Sequence, residues 1–184
     1  YATSGQSRIF GKTSPYPSTT TINVTRSGCG ESSEWDSSPG NSTTVVACPV
    51  TGGFHVVSET DKTDAGGYHM TQTFECSANS FVPLSGPPGT KYKWSCSTSN
   101  GETANEVVTI DGPATLTVDG TAVQTEHVSI VSTLSGPESG TADVEDWLSS
   151  AGLRIKETGA INASAYGVSY TANYTINLKS LKPS

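Results

Sequence analysis

An antiparallel all-β fold is what this chain predicts, and three observations carry the prediction. Val168, Tyr170, Ala172, Tyr174, Ile176 and Leu178 alternate with Ser169, Thr171, Asn173, Thr175 and Asn177, a strict period of two that a helix could not use. Ser and Thr together supply 53 of the 184 residues, and Val, Ile, Tyr and Trp recur among them in short runs, the composition of a sheet-rich extracellular domain. Hairpin chemistry sits between the runs, above all Asp119-Gly120 and Gly86-Pro87-Pro88-Gly89. The expected architecture is an antiparallel meander forming a curved sheet or half-barrel, with little or no helix.

Taken in order, Thr19–Thr25 reads as a strand with Ile22 and Val24 inward, and Glu31–Asn41 as an unusually Ser-rich, polar loop. Tyr68, Met70, Gln72, Phe74 and Cys76 share one face of a strand, and Tyr92, Trp94 and Cys96 share another. Leu116 and Val118 lead into Asp119-Gly120, and Ala122 and Val123 lead out of it. Over Asp143–Ser150 the residues Val144, Trp147 and Leu148 have helical spacing, yet Ala142, Val144 and Asp146 alternate with Asp143, Glu145 and Trp147. The strand is preferred, because Ser149-Ser150-Ala151-Gly152 turns into Leu153–Glu157 like a hairpin. At ~3.3 Å per residue, Val168–Leu178 spans about 35 Å, which suits a wide, curved sheet with one face in water. About ten strands are expected in all.

The chain is long enough for one sizeable core and reads as a single domain, 1–184. A faint internal echo divides it into 1–85 and 86–184, which reads as two related four-strand meanders or as chance similarity between β-hairpins. Thr19–Gly28 resembles His127–Gly136, each followed by a Trp (Trp35, Trp147), then by Gly53–Thr60 or Gly152–Thr158, then by a long alternating strand led by Tyr68 or Tyr166.

Only 33% of residues are hydrophobic and 15% charged, with a net charge of −7. That balance argues against nucleic acid, whose phosphates need clustered Lys and Arg; the nearest grouping, Lys91 and Lys93 beside Trp94, is better read as a solvated strand face over a core aromatic. No apolar run approaches the ~20 residues of a membrane helix. The chain begins at Tyr1 and not at Met, so a targeting or anchoring segment is expected to precede it, and membrane association would run through that segment alone. Cys29, Cys48, Cys76 and Cys96 fit two disulfides in an oxidising compartment, extracellular or in the cell envelope. Four cysteines allow three connectivities; if neighbouring strands pair, Cys29–Cys48 and Cys76–Cys96 close loops of similar length, each stabilising by about 3 kcal/mol.

Motifs that carry chemistry are scarce. Gly11-Lys12-Thr13 ends like a phosphate loop but fails on spacing and lacks the flanking strand and helix. No Gly-x-Ser-x-Gly occurs, and His55, His69 and His127 are the only histidine bases. His55 and His69, near Glu59 and Asp61, lack the tight spacing of a zinc site, and Asp61, Asp64 and Gly66-Gly67 lack the acidic ladder of a calcium loop. Glu138, Asp143, Glu145 and Asp146 cluster beside Trp147, the raw material of a carbohydrate-binding or hydrolytic site, though an acidic solvated turn explains them better. No catalytic activity, metal or cofactor is therefore expected. Glycosylation sequons stand at Asn23, Asn41, Asn162 and Asn173.

Several segments together resemble a family of uncharacterised secreted or envelope-anchored actinobacterial proteins: Tyr1–Gly5 with Tyr16–Ile22, Ser27–Gly30, Thr73–Cys76, Trp94–Cys96, Thr117–Thr121, Leu134–Gly136, Gly152–Arg154 and Leu178–Leu181. The C-terminal half is also similar in rhythm to the curved sheets of LolA/LppX-type lipid and lipoprotein carriers, which implies a half-barrel that shelters a lipid chain. The resulting expectation is a non-catalytic envelope protein binding a hydrophobic small molecule or lipid, with Val168, Tyr170, Tyr174 and Ile176 facing the ligand. Its rival is a structural or adhesive surface domain without a small ligand.

Overall fold

The computed structural model describes residues 1–65, 68–165 and 167–182. Among them the chain forms fourteen strands and no helix: β1 (Ala2–Ile9), β2 (Lys12–Pro15), β3 (Thr21–Ser27), β4 (Gly30–Ser38), β5 (Asn41–Val50), β6 (Gly53–Ala65), β7 (Tyr68–Cys76), β8 (Val82–Pro83), β9 (Lys91–Ser97), β10 (Thr103–Val118), β11 (Thr121–Ser135), β12 (Glu138–Ser149), β13 (Arg154–Ala165) and β14 (Val168–Asn177). All belong to one antiparallel sheet in the order β2-β1-β14-β13-β12-β11-β10-β9-β7-β6-β5-β4-β3, with β8 paired to β6.

Fourteen strands exceed the expected ten because the polar segments pair as readily as the apolar ones. Glu31–Asn41, expected as a loop, is mostly β4. Its Ser and Glu side chains hide the alternation, while the backbone makes full ladders to β3 and β5. Strand β3 starts two residues later than expected, and Val24 is 54% exposed although it shares a face with half-buried Ile22. The strand reading of Asp143–Ser150 holds, with β12 ending at Ser149. Asp119 and Gly120 both take positive φ, 48° and 76°, the two-residue turn whose twist matches a hairpin. Gly11 does the same work between β1 and β2, where a phosphate loop was considered and rejected. Gly66-Gly67 and Tyr166 lie outside the described residues.

The ladder is open between β2 and β3, but these strands are consecutive in the chain, and the segment joining them runs beside β1. Thr3 N–H donates to the Ser18 carbonyl at 3.0 Å, and the Tyr1 ammonium donates to the Thr20 carbonyl at 2.9 Å. The sheet therefore curls until β4 meets β14 across its concave side, where the rings of Trp35 and Tyr174 lie 4.8 Å apart. Tyr16 packs on both, and Trp35 Nε1 donates to Thr20 Oγ1. Gly159 makes room for this cluster: a Cβ there would stand 2.3 Å from the Tyr174 ring. In the sequence echo Trp35 and Trp147 correspond, but Trp35 is buried inside while Trp147 lies on the outer face, and β5 has no counterpart in the second half.

The disulfides are Cys29–Cys48 and Cys76–Cys96, with none of the four left free. Both staple the N-terminal half, and a two-disulfide sheet of this kind is compatible with an exported protein.

Candidate functional site on the concave face

Concave-face residues follow from register. Val45, Glu59 and Phe74 stand in one cross-strand row, and Thr43, Asp61 and Gln72 in the next. Trp94, Glu106, Ser132, Ala142 and Ile161 form another row on the opposite wall. One end of this interior is closed: Val108, Ile110, Val128 and Ile176 are fully buried, and Ile155 nearly so. Beside these the inward residues Val45, Ile130, Val144, Ile161 and Tyr170 are only half-buried, Ile130 and Val144 standing in the same cross-strand row as Val108. A fully filled core would exclude water from such positions. The concave face thus mixes fully buried and partly water-reached apolar residues.

Its charges are one-sided. Of ten Lys and Arg, only Arg154 points into the interior, at the closed end. It grips Asp146 with two nitrogens (Nε–Oδ1 3.0 Å, Nη2–Oδ2 3.1 Å) and reaches Glu157 Oε2 at 2.8 Å. Glu157 also accepts the Tyr174 hydroxyl at 2.8 Å. Bidentate geometry of this sort compensates two buried carboxylates. The remaining inward acids, Glu59, Asp61, Glu106 and Glu138, have no cation within ion-pair distance among the described residues. Asp61 accepts the Thr43 hydroxyl at 2.7 Å, and Glu106 accepts that of Ser132.

Burial, and then the neighbouring charges of Asp61, Glu106 and Glu157, push the Glu59 carboxyl up to about 8, against a partial pull from Arg154. Burial with Glu102 and Asp61 pushes Glu138 up to about 7. Asp61 and Glu106 move the same way through burial, each partly held back by its hydroxyl donor. Among the described residues three polar atoms on this face are buried without a partner: Gln72 Nε2, opposite Asp61, Trp94 Nε1, opposite Glu106, and Glu126 Oε1, opposite Leu148.

The residues expected to face a ligand divide between the two regions. Tyr174 and Ile176 belong to the packed cluster with Trp35. Val168 and Tyr170 are half-buried farther toward the start of the same strand.

The convex face gathers different chemistry. His127 Nε2 lies 2.6 Å from Glu145 Oε2 and 3.9 Å from Asp111 Oδ2. Asp111 is the extra residue of a bulge between Ile110 and Gly112, which aims it at β11. One imidazole and two carboxylates within 4.8 Å of one another form a donor set that a divalent cation accepts. Sequence reasoning missed this trio, since its members are 16 and 18 residues apart and meet only by register; Asp111-Gly112 breaking an alternating run was the one available signal. The carboxylates grouped in sequence are split: Glu138 and Asp146 point inward, Asp143 and Glu145 outward along a shallow groove with Thr158 and Asn173. Nor can Trp147 stack on a sugar as it stands, because the His127 ring covers one side at 4.2 Å and Lys156 stands 4.2 Å from the ring centroid.

His55 and His69 do lie on adjacent strands, but His69 is exposed beside Asp64 while His55 bonds Ser80 at the other end of β6. The Ser80 hydroxyl donates to the Val56 carbonyl, so His55 Nδ1 donates to Ser80 and is not placed to take its proton. Of the sequons, Asn23, Asn162 and Asn173 are exposed, whereas the Asn41 amide is tied to Ser38 and Asp64.

No protein-family model and no curated protein matches the chain. Among solved structures, the hypothetical lipoprotein YmcC from Escherichia coli (K12) is similar at a TM-score of 0.42 and 13% identity, over 95% of this chain and 86% of that one.

Proposed function

We propose that this chain is a non-catalytic envelope protein that holds a hydrophobic or lipidic ligand on the concave face of its sheet. The observation that carries the reading is the uneven interior: Val108, Val128 and Ile176 are fully buried, yet the inward apolar residues Val45, Ile130, Val144, Ile161 and Tyr170 are only partly so. An apolar wall that water still reaches, with a few polar groups set into it, is the usual make-up of a small-molecule site. The two disulfides support an exported location. The non-catalytic assignment rests on His55, whose ring nitrogen is committed to Ser80, and on the separation of the inward from the outward carboxylates.

Native mass spectrometry of protein purified from its own host, followed by lipid extraction, tests this. A reproducible co-purifying mass that extracts into organic solvent is expected. Repeated recovery of bare protein, with no uptake of added long-chain lipid, would overturn the reading in favour of a structural or adhesive domain.

A further inference from the structure

We propose that Glu59, Asp61 and Glu106, with the side chains of Gln72 and Trp94, form a head-group subsite that selects an amphiphile carrying an amine or other cationic head. The inference rests on the reading of the concave face as a ligand site and names the chemistry that the site prefers.

Three features converge on it. First, Glu59 stands opposite Phe74, Asp61 opposite Gln72 and Glu106 opposite Trp94, all facing inward, and Trp94 packs against the cluster that holds Phe74. Second, among the described residues no cation lies within ion-pair distance of these three carboxylates. Arg154, the sole inward cation, is consumed by Asp146 and Glu157, and the other Lys and Arg side chains lie outside. Carboxylates of one sign facing each other inside a low-dielectric wall focus a negative field, and a cation entering it is drawn in without the cost of displacing a native partner. Burial first, and then the charges of Asp61 and Glu106, push the Glu59 carboxyl up. Third, Gln72 is 8% exposed and its Nε2 has no partner, as does the buried Trp94 Nε1. Buried donors are ordinarily satisfied, so two orphans beside the carboxylates mark where an oxygen-bearing ligand atom would sit. An amine bearing a hydroxyl or ester oxygen meets both demands, and the aromatic faces of Phe74 and Trp94 suit a cation at short range. Beyond the head, Val45, Ile130, Val144 and Ile161 offer apolar wall for the tail.

The test compares three probes with one tail and different heads: decylamine, decanol and decanoate, titrated into the disulfide-intact protein and followed by tryptophan fluorescence and calorimetry. Decylamine should bind roughly tenfold more tightly than decanol at low ionic strength, and decanoate most weakly. The amine preference should be larger at about pH 8.5 than at about pH 5.5, where Glu59 is protonated, and should shrink in roughly 0.5 M salt. In Glu59→Gln/Asp61→Asn the preference for decylamine over decanol should vanish. Equal binding of all three probes would overturn this inference and leave the carrier reading standing; binding of none would overturn both. The pH and salt comparisons on the unmodified protein decide the matter even where the double variant fails to fold.

Discussion

Replacing Glu59 by Gln should stabilise the protein, and only above mildly acidic pH. Glu59 sits inward between Val45 and Phe74, with Asp61 and Glu106 adding negative charge around it. Its carboxyl ionises near 8 in the folded chain, against an ordinary value of 4.5. The sign follows from linkage: an acid whose folded value is raised binds its proton more tightly when folded, so stability is greatest at low pH and falls as pH rises from about 4.5 to about 8. At ~1.36 kcal/mol per pH unit, the full penalty at pH 7 would be about 3.4 kcal/mol. Water reaches the half-buried carboxyl and screens the charge, which reduces the expected figure to about 2 kcal/mol. For a chain of this size that is roughly 4–8 °C in melting temperature. Gln keeps the shape and removes the charge. Thermal denaturation of both proteins from pH 5 to pH 8 checks it: the two should melt together at pH 5, with Glu59→Gln ahead by the stated margin at pH 8. A constant difference across the range, or a native protein that grows more stable as pH rises, would refute the reasoning.

Two further substitutions probe the closed end. Arg154→Ala leaves Asp146 and Glu157 buried without a cation and should cost about 3–5 kcal/mol in urea unfolding at pH 8, with a smaller loss at pH 5 because both carboxyls are already raised by burial and protonate readily; a loss independent of pH would speak against the ion-pair account. Gly159→Val places a side chain where the Tyr174 ring lies, since even a Cβ would stand 2.3 Å from it, and should cost about 1–3 kcal/mol by overpacking. A denaturant midpoint unchanged by Gly159→Val would show that Tyr174 does not press on Gly159 as described.

How far the sequence could be read depended on which side chains announced the strands. Val168–Asn177 declares itself because its inward positions are apolar and its outward ones polar. Strand β4 does not: Ser32, Ser33 and Glu34 give no alternation, and only its ladders to β3 and β5 make it a strand. The cysteine pairing was reachable through the assumption that neighbouring strands pair, and Cys76 does lie opposite Cys96. The acidic subsite was out of reach for the opposite reason. Glu59 and Glu106 are 47 residues apart in number and look, in sequence, like ordinary solvated charges. The same holds for His127, Glu145 and Asp111, which a bulge and two registers bring together.

By itself, then, the sequence determined the all-β class, most of the hairpins, the inward face of the C-terminal strand and the use of all four cysteines in disulfides. Each of these is local: a period of two, a turn residue, a cysteine. Tertiary structure alone decided that fully and partly buried apolar residues share the concave interior, that Arg154 is spent on Asp146 and Glu157, and that Glu59, Asp61, Glu106 and Glu138 have no ion-pair partner among the described residues. Charge balance inside a curled sheet depends on which strands face each other, and that facing is set by curvature and register, which no single strand encodes.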